Sequence, residues 1–155
     1  MQKRWAGIAV SGDTVTVVEL TVPTSGPPKI ASDLTFKLQS GNRSAAYAVL
    51  HRQIQDYVRE NKVEQVVVKA SALSTGSTKM AHLHAAEVRG VVIAACASVT
   101  PVIQLQKAKL SKTFGSRKAD EYVADNGFWN AEIEGSLRIG SREAALLVLA
   151  SRGAA

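Results

Sequence analysis

Glu143-Ala144-Ala145-Leu146-Leu147-Val148-Leu149-Ala150, near the C-terminus, is the stretch on which the reading of this chain turns. An unbroken apolar run behind a single acid reads as a short buried helix with Glu143 at its start. Gly140 and Ser141 before it make a plausible N-cap. Upstream lies a basic segment, residues 107–118, with Lys107, Lys109, Lys112, Arg117 and Lys118, which reads as a loop. A helical stretch from about Lys118 to Asp125 comes after it, then a loop with Gly127, Phe128 and Trp129.

The N-terminal half opens with strands. Residues 4–10 end at the turn signal Ser11-Gly12-Asp13, and residues 14–22 form the hairpin partner. The apolar set changes phase there, from Val15 and Val17 to Val18, Leu20 and Val22, so either a bulge intervenes or both faces are covered. Ile30, Leu34, Phe36 and Leu38 alternate with Lys29, Asp33, Thr35 and Lys37, giving a third strand with one wet face. After Gly41 the period becomes helical: Ala46, Val49, Leu50, Ile54, Tyr57 and Val58 share a stripe, with Asn42 or Ser44 as cap. Residues 63–68 read as a buried strand, Lys79 to Ala97 as a second helix behind the small, polar Ser71–Thr78 segment, and Val102–Leu105 as a fifth strand opened by Pro101. The order β-β-β-α-β-α-β-α predicts an α/β fold, a mixed five-stranded sheet with helices on both faces.

A chain of 155 residues fits one domain, residues 1–155, and its 5% aromatic share makes the core aliphatic. A formal charge of +6 favours acidic partners, nucleic acid first. Cys96, the single cysteine, permits neither an internal disulfide nor a cysteine metal cluster. No apolar stretch reaches the roughly 18 residues of a membrane span, and no signal-peptide h-region comes after Met1-Gln2-Lys3-Arg4, so a cytoplasmic protein is expected. Ser74-Thr75-Gly76-Ser77-Thr78-Lys79 lacks the phosphate-loop pattern, although Lys79 at a helix start attracts anions. His82 and His84 point to different sides of their helix and His51 stands apart, so all three read as solvated surface residues.

Several segments together resemble the RuvC-type Holliday-junction resolvases, which have the RNase H-like fold. Trp5-Ala6-Gly7-Ile8-Ala9 resembles their first strand, and Val66-Val67-Val68-Lys69 the end of their fourth. Glu87-Val88-Arg89-Gly90 with the small apolar residues after it resembles their second helix. Lys109, Lys112, Gly115 and Lys118 resemble their basic loop, and Gly140-Ser141-Arg142-Glu143-Ala144 their last helix. The resemblance implies acids at four positions, where this chain has Ala9, Lys69, Gly140 and Glu143. Glu143 alone matches, and a lysine would place a cation among cations.

A catalytically degenerate RuvC-like protein is therefore expected. It would bind nucleic acid, branched or structured DNA included, through Lys107, Lys109, Lys112, Arg117, Lys118 and Lys79, with no metal and no cofactor. A homodimer using the helix of Glu87 and Arg89 is implied by the resemblance. One alternative is a protein-interaction or regulatory pseudo-enzyme subunit. The other is a nuclease using Mg²⁺, with Asp13 or Glu19 as a displaced ligand beside Glu143; more simply, these read as a turn residue and a solvent-facing strand residue. Phe128 and Trp129 read either as core residues or as exposed aromatics for stacking or docking.

Overall fold

The computed structural model describes residues 2–73 and 76–154. β1 (Lys3–Ser11) and β2 (Thr14–Val22) form a hairpin closed at Gly12, whose φ of 58° is the left-handed conformation that a two-residue turn demands. β3 (Lys29–Lys37) pairs antiparallel with β2. α1 (Arg43–Glu60) starts at Asn42, whose side-chain oxygen accepts the Ala45 N–H at 2.9 Å. It leads to β4 (Gln65–Lys69), which runs parallel to β1. α2 (Met80–Ala97) leads in turn to β5 (Val102–Leu105), parallel to β4. The five-stranded sheet therefore has the order β3-β2-β1-β4-β5, with antiparallel and parallel pairs mixed as the element order predicts. The chain ends in α3 (Lys107–Phe114), α4 (Ala119–Ala124), α5 (Asn126–Glu132), a 3₁₀ turn at Ile139–Ser141 and α6 (Arg142–Ala154).

Both faces of the sheet are covered. Ala6, Ile8, Val10, Val15 and Val17 pack with α1 and α2 on one side. Val18, Leu20, Val22 and Val67 pack with α6 on the other, joined there by residues of α3, α4 and α5. This settles the phase change in β2, since odd positions up to Val17 face α1 and even positions from Val18 face α6. A bulge is present as well: the β2–β3 register shifts between Glu19 and Leu20. It returns Ile30 to the α6 side, away from Phe36 with which the alternation groups it.

Gly7 fixes how closely α6 can lie on β1. A Cβ there would overlap the Ala144 carbonyl oxygen and sit 3.2 Å from Val148 Cγ2. The missing side chain thus lets the α6 backbone rest on the strand, and Ala144 through Leu147 are fully buried.

Four expectations need correction. Residues 107–114 of the basic segment are helix α3, because Leu110 (0% exposed) and Phe114 lie one turn apart and give it an apolar anchor. Residues 126–132 are helix α5, capped by Asp125, which accepts the Phe128 N–H at 3.2 Å; Gly127 in its first turn hides it. β4 begins at Gln65, two residues later than the pattern suggests. Ser141 ends the 3₁₀ turn, and its hydroxyl donates to Asp33 at 2.6 Å instead of capping α6.

Candidate nucleic-acid interface

The sheet register brings the residues singled out by the sequence into one row. Ala9 on β1 pairs with Thr16 on β2, which pairs with Thr35 on β3. On the other side Ile8 pairs with Val68, so Lys69 falls beside Ala9, and Lys69 pairs with Leu105 on β5. Side chains of paired residues share a face. Here it is the α6 face, because Ala9 and Leu105 pack against the α6 cluster.

Glu143 reaches this row from the first turn of α6. Its Oε1 lies 3.0 Å from Lys69 Nζ, and both side chains are about three-quarters buried, at 25% and 24% exposure. Lys107, the first residue of α3, is close enough for the Glu143 charge to raise its pKa, after the larger effect of its hydrogen bond to Asp120. The local pattern is thus Lys69, Glu143, Lys107, Asp120, alternating in sign and joining β4, α6, α3 and α4. Gly140 contributes no donor, and space for a Cβ there is open.

Other carboxylates are committed elsewhere. Asp13 accepts a two-pronged hydrogen bond from Arg43 at 3.0 and 3.2 Å, and that bond, ahead of opposing burial, holds its carboxyl below the usual range. Arg43 begins α1, which packs on the opposite sheet face from α6. Glu19 is not solvent-facing. It is 1% exposed, 2.8 Å from Arg4 Nε, and accepts the Tyr57 hydroxyl at 2.7 Å. Burial, ahead of the hydrogen bonds from and to its neighbours, pushes the Tyr57 hydroxyl up. Asp33 is held by Arg138 and Ser141; burial pushes its carboxyl up, and these hydrogen bonds outweigh it to leave the pKa lowered. Among the described residues no three His, Cys, Asp or Glu side chains are grouped to hold a metal ion. A pair of divalent cations needs bridging oxygen ligands. A row of alanine, lysine and threonine with one carboxylate already paired to an ammonium does not fit them.

The basic residues divide into two sets. Lys107 pairs with Asp120 at 2.9 Å, and Arg117 pairs with Asp125 at 3.0 Å while its guanidinium lies 4.4 Å from the Tyr122 ring centroid. The hydrogen bond to Asp125 is the main cause of the raised Arg117 pKa. Lys109 and Lys112 project from the exposed side of α3, three residues apart and hence neighbours, with Leu110 buried beneath. Lys118 is exposed in the short link to α4. None of these three ammonium groups has a salt-bridge partner among the described residues. Lys79 stands apart from them at the start of α2, where its N–H donates to His82 Nδ1 at 3.2 Å. The preceding segment is described only in part, as Ser74 and Thr75 lie outside the described residues.

Trp129 is a core residue, 4% exposed, and its indole N–H donates to the Tyr122 carbonyl at 3.0 Å. Phe128 joins Phe114, Tyr122 and Trp129 in a ring cluster with centroids 5.3–5.5 Å apart that binds α3, α4 and α5 together. Arg89 also turns inward: it donates to Ser71 at 2.7 Å and to the Val10 carbonyl at 3.3 Å, and burial lowers its pKa. It therefore ties α2 to β1 and to the segment after β4 instead of offering a charge to a second copy. No described helix is long and apolar enough to cross a membrane.

Among solved structures the chain is similar to RuvC of Thermus thermophilus, with a TM-score of 0.74 at 16% identity over 97% of this chain and 93% of that one. It is similar to T. thermophilus RuvC in complex with Holliday junction substrate at 0.70 and 14% identity, with the same coverage of 97% and 93%. The yeast mitochondrial Holliday junction resolvase Ydc2 matches at 0.62 and 11% identity, over 97% of this chain and 77% of that one. No protein-family model and no curated protein sequence matches the chain. The fold is that of the RuvC resolvases, a mixed five-stranded RNase H-like sheet with helices on both faces.

Proposed function

We propose that this chain of RuvC-like fold binds nucleic acid, branched or structured DNA in particular, and has lost hydrolysis. The observation that carries the reading is the 3.0 Å pair between Lys69 and Glu143. The one carboxylate in the row is satisfied by an internal cation, so the protein needs no metal to neutralise it. The cations that support binding are the ammonium groups of Lys109, Lys112 and Lys118, exposed without a salt-bridge partner among the described residues, with Lys79 exposed apart from them at the α2 start. Lys107 and Arg117 support the first three by fixing α3 and α4 through Asp120 and Asp125. Resemblance to a resolvase solved with a Holliday junction supports a nucleic-acid partner.

The test is a gel-shift panel of single strands, duplexes, forks and four-way junctions, with and without Mg²⁺, across a salt series. Binding should not require Mg²⁺, and log K should fall by about 0.9 per phosphate neutralised on duplex for each unit of log salt. Lys109→Glu with Lys112→Glu should weaken binding on every sequence, because phosphate contacts carry no base information. Glu143→Gln should leave binding intact. Mg²⁺-dependent cleavage abolished by Glu143→Gln would overturn the reading.

A protein-docking role is the second reading, favoured by exposed apolar side chains: Leu73 is 99%, Met80 63% and Leu83 50% exposed. Ala86, Gly90 and Ala94 extend this surface along α2, which suits a second copy of the chain and brings homodimerisation into the same proposal. Leu83→Glu should then convert dimer to monomer in light scattering, and a salt-insensitive partner interaction would favour docking over nucleic-acid binding.

A further inference from the structure

We infer that the open part of the sheet beside the α6 start is a second track for a nucleic-acid backbone. It is built from the hydroxyls of Ser11, Thr14, Thr16 and Thr35, with the Lys37 ammonium, unpaired among the described residues, at its outer edge and Arg138, already paired with Asp33, holding Thr35 in place. The inference rests on the nucleic-acid reading above and gives the bound strand a path beyond α3.

The register assembles the track. Ser11 pairs with Thr14, Thr14 with Lys37, and Thr16 with Thr35, so two adjacent rows place these side chains on the α6 face. Their neighbours Val10, Val15 and Phe36 point to the other face, into the α1 layer. α6 covers this face over Gly7, Val18 and Leu20, but Thr14 and Thr16 are only half-buried and Ser11, Thr35 and Lys37 are exposed. An open depression of about 220 Å³ lies here, lined by Thr16, Thr35, Arg138, Gly140 and Ser141. Gly140 keeps it open, since a Cβ there would meet nothing within 4 Å.

The chemistry is that of a donor surface. The Ser11, Thr14 and Thr16 hydroxyls have no hydrogen-bond partner among the described residues. Thr35 Oγ1 accepts from Arg138 Nη2 at 3.0 Å, which orients its own O–H outward for an acceptor. Asp33, which hydrogen-bonds the same Arg138 that holds Thr35, is consumed by Arg138 and Ser141. Ile139, 71% exposed, lies between Arg138 and Gly140 beside the track. The track itself is a set of hydroxyls next to the exposed Lys37 ammonium with no free carboxylate, which suits phosphate oxygens. Ala9 and Lys69 continue the Thr35–Thr16 row toward β5, after which the chain enters α3, so one strand of phosphates could run from Lys109 and Lys112 across the sheet to Lys37.

Fluorescence anisotropy with a labelled four-way junction and a labelled single strand, each titrated over a NaCl series, tests this. Thr35→Glu with Lys37→Glu, on an exposed edge strand, should weaken binding at least about tenfold and flatten the salt slope by about one or more. Thr16→Lys should tighten binding and steepen the slope, a gain that misfolding cannot produce. If both variants bind as the native chain does while Lys109→Glu with Lys112→Glu loses affinity, the track is refuted and the α3 interface stands. If the native chain itself binds neither probe, the nucleic-acid reading fails and the track with it.

Discussion

Gly7→Ala should be among the most damaging single-methyl additions in this protein. The added Cβ would overlap the Ala144 carbonyl oxygen, lie 2.8 Å from the Ala144 carbonyl carbon and 3.2 Å from Val148 Cγ2. A side-chain methyl can rotate away, but the helix backbone cannot, so α6 must lift from β1. Over-packing a well-filled core costs about 1–3 kcal/mol. Replacing glycine returns about 0.4–1 kcal/mol by restricting the unfolded chain. Because the obstacle is backbone, the upper part of the range applies, and we expect a net loss of about 2–3 kcal/mol. At about 2–4 °C per kcal/mol for a domain of this size, Tm should fall by about 4–12 °C. Gly90→Ala is the matched control: Gly90 lies inside α2, is exposed and has open space at its Cβ, so alanine should stabilise by about 0.5–1 kcal/mol in the monomer. Urea and thermal unfolding followed by circular dichroism measure both. A Gly7→Ala protein within about 0.5 kcal/mol of the native chain would refute the close approach of α6 to β1, and with it the placing of Glu143 over Lys69.

The paired charges give two further outcomes. A double-mutant cycle of Lys69→Met and Glu143→Gln should give a coupling of about 1–2 kcal/mol, between the values of surface and buried pairs because both side chains are about a quarter exposed; a coupling near zero contradicts the geometry. Asp33, whose folded-state pKa is lowered, contributes stability that is complete above the ordinary carboxylate pKa of about 3.9 and is lost as pH falls through the lower folded value. Asp33→Asn should therefore unfold with a shallower pH dependence below about pH 4 than the native chain, and an unchanged acid limb would show that Arg138 and Ser141 do not hold it in solution.

The sheet is legible in the sequence because its signals are local. Ile8 and Val10, the Val66–Val68 run and the Asn42-capped stripe of α1 each declare an element within a few residues, and connection rules then make the sheet a mixed one. α3 reads as a loop because lysines outnumber its anchors; Leu110 and Phe114 gain meaning only when α6 lies beneath them. Glu19 misleads for a similar reason. An acid at an alternate strand position implies solvent, but Tyr57 and Arg4, from elements far apart in sequence, cover it. Ala9, Lys69, Gly140 and Glu143 are each visible as individual positions. The opposite charges of Lys69 and Glu143 become one ion pair only when α6 is set over the β4 end. The hydroxyl rows are invisible, since Ser11, Thr14, Thr16 and Thr35 read singly as polar strand residues and are joined only by register.

Titration of Mn²⁺ into the native chain, followed by the free-ion electron paramagnetic resonance signal, is the most direct test. The account predicts no saturable site, because Lys69 already neutralises Glu143 and Asp13, Glu19 and Asp33 are held by arginines. Two saturable ions per chain that disappear on Glu143→Gln would contradict it.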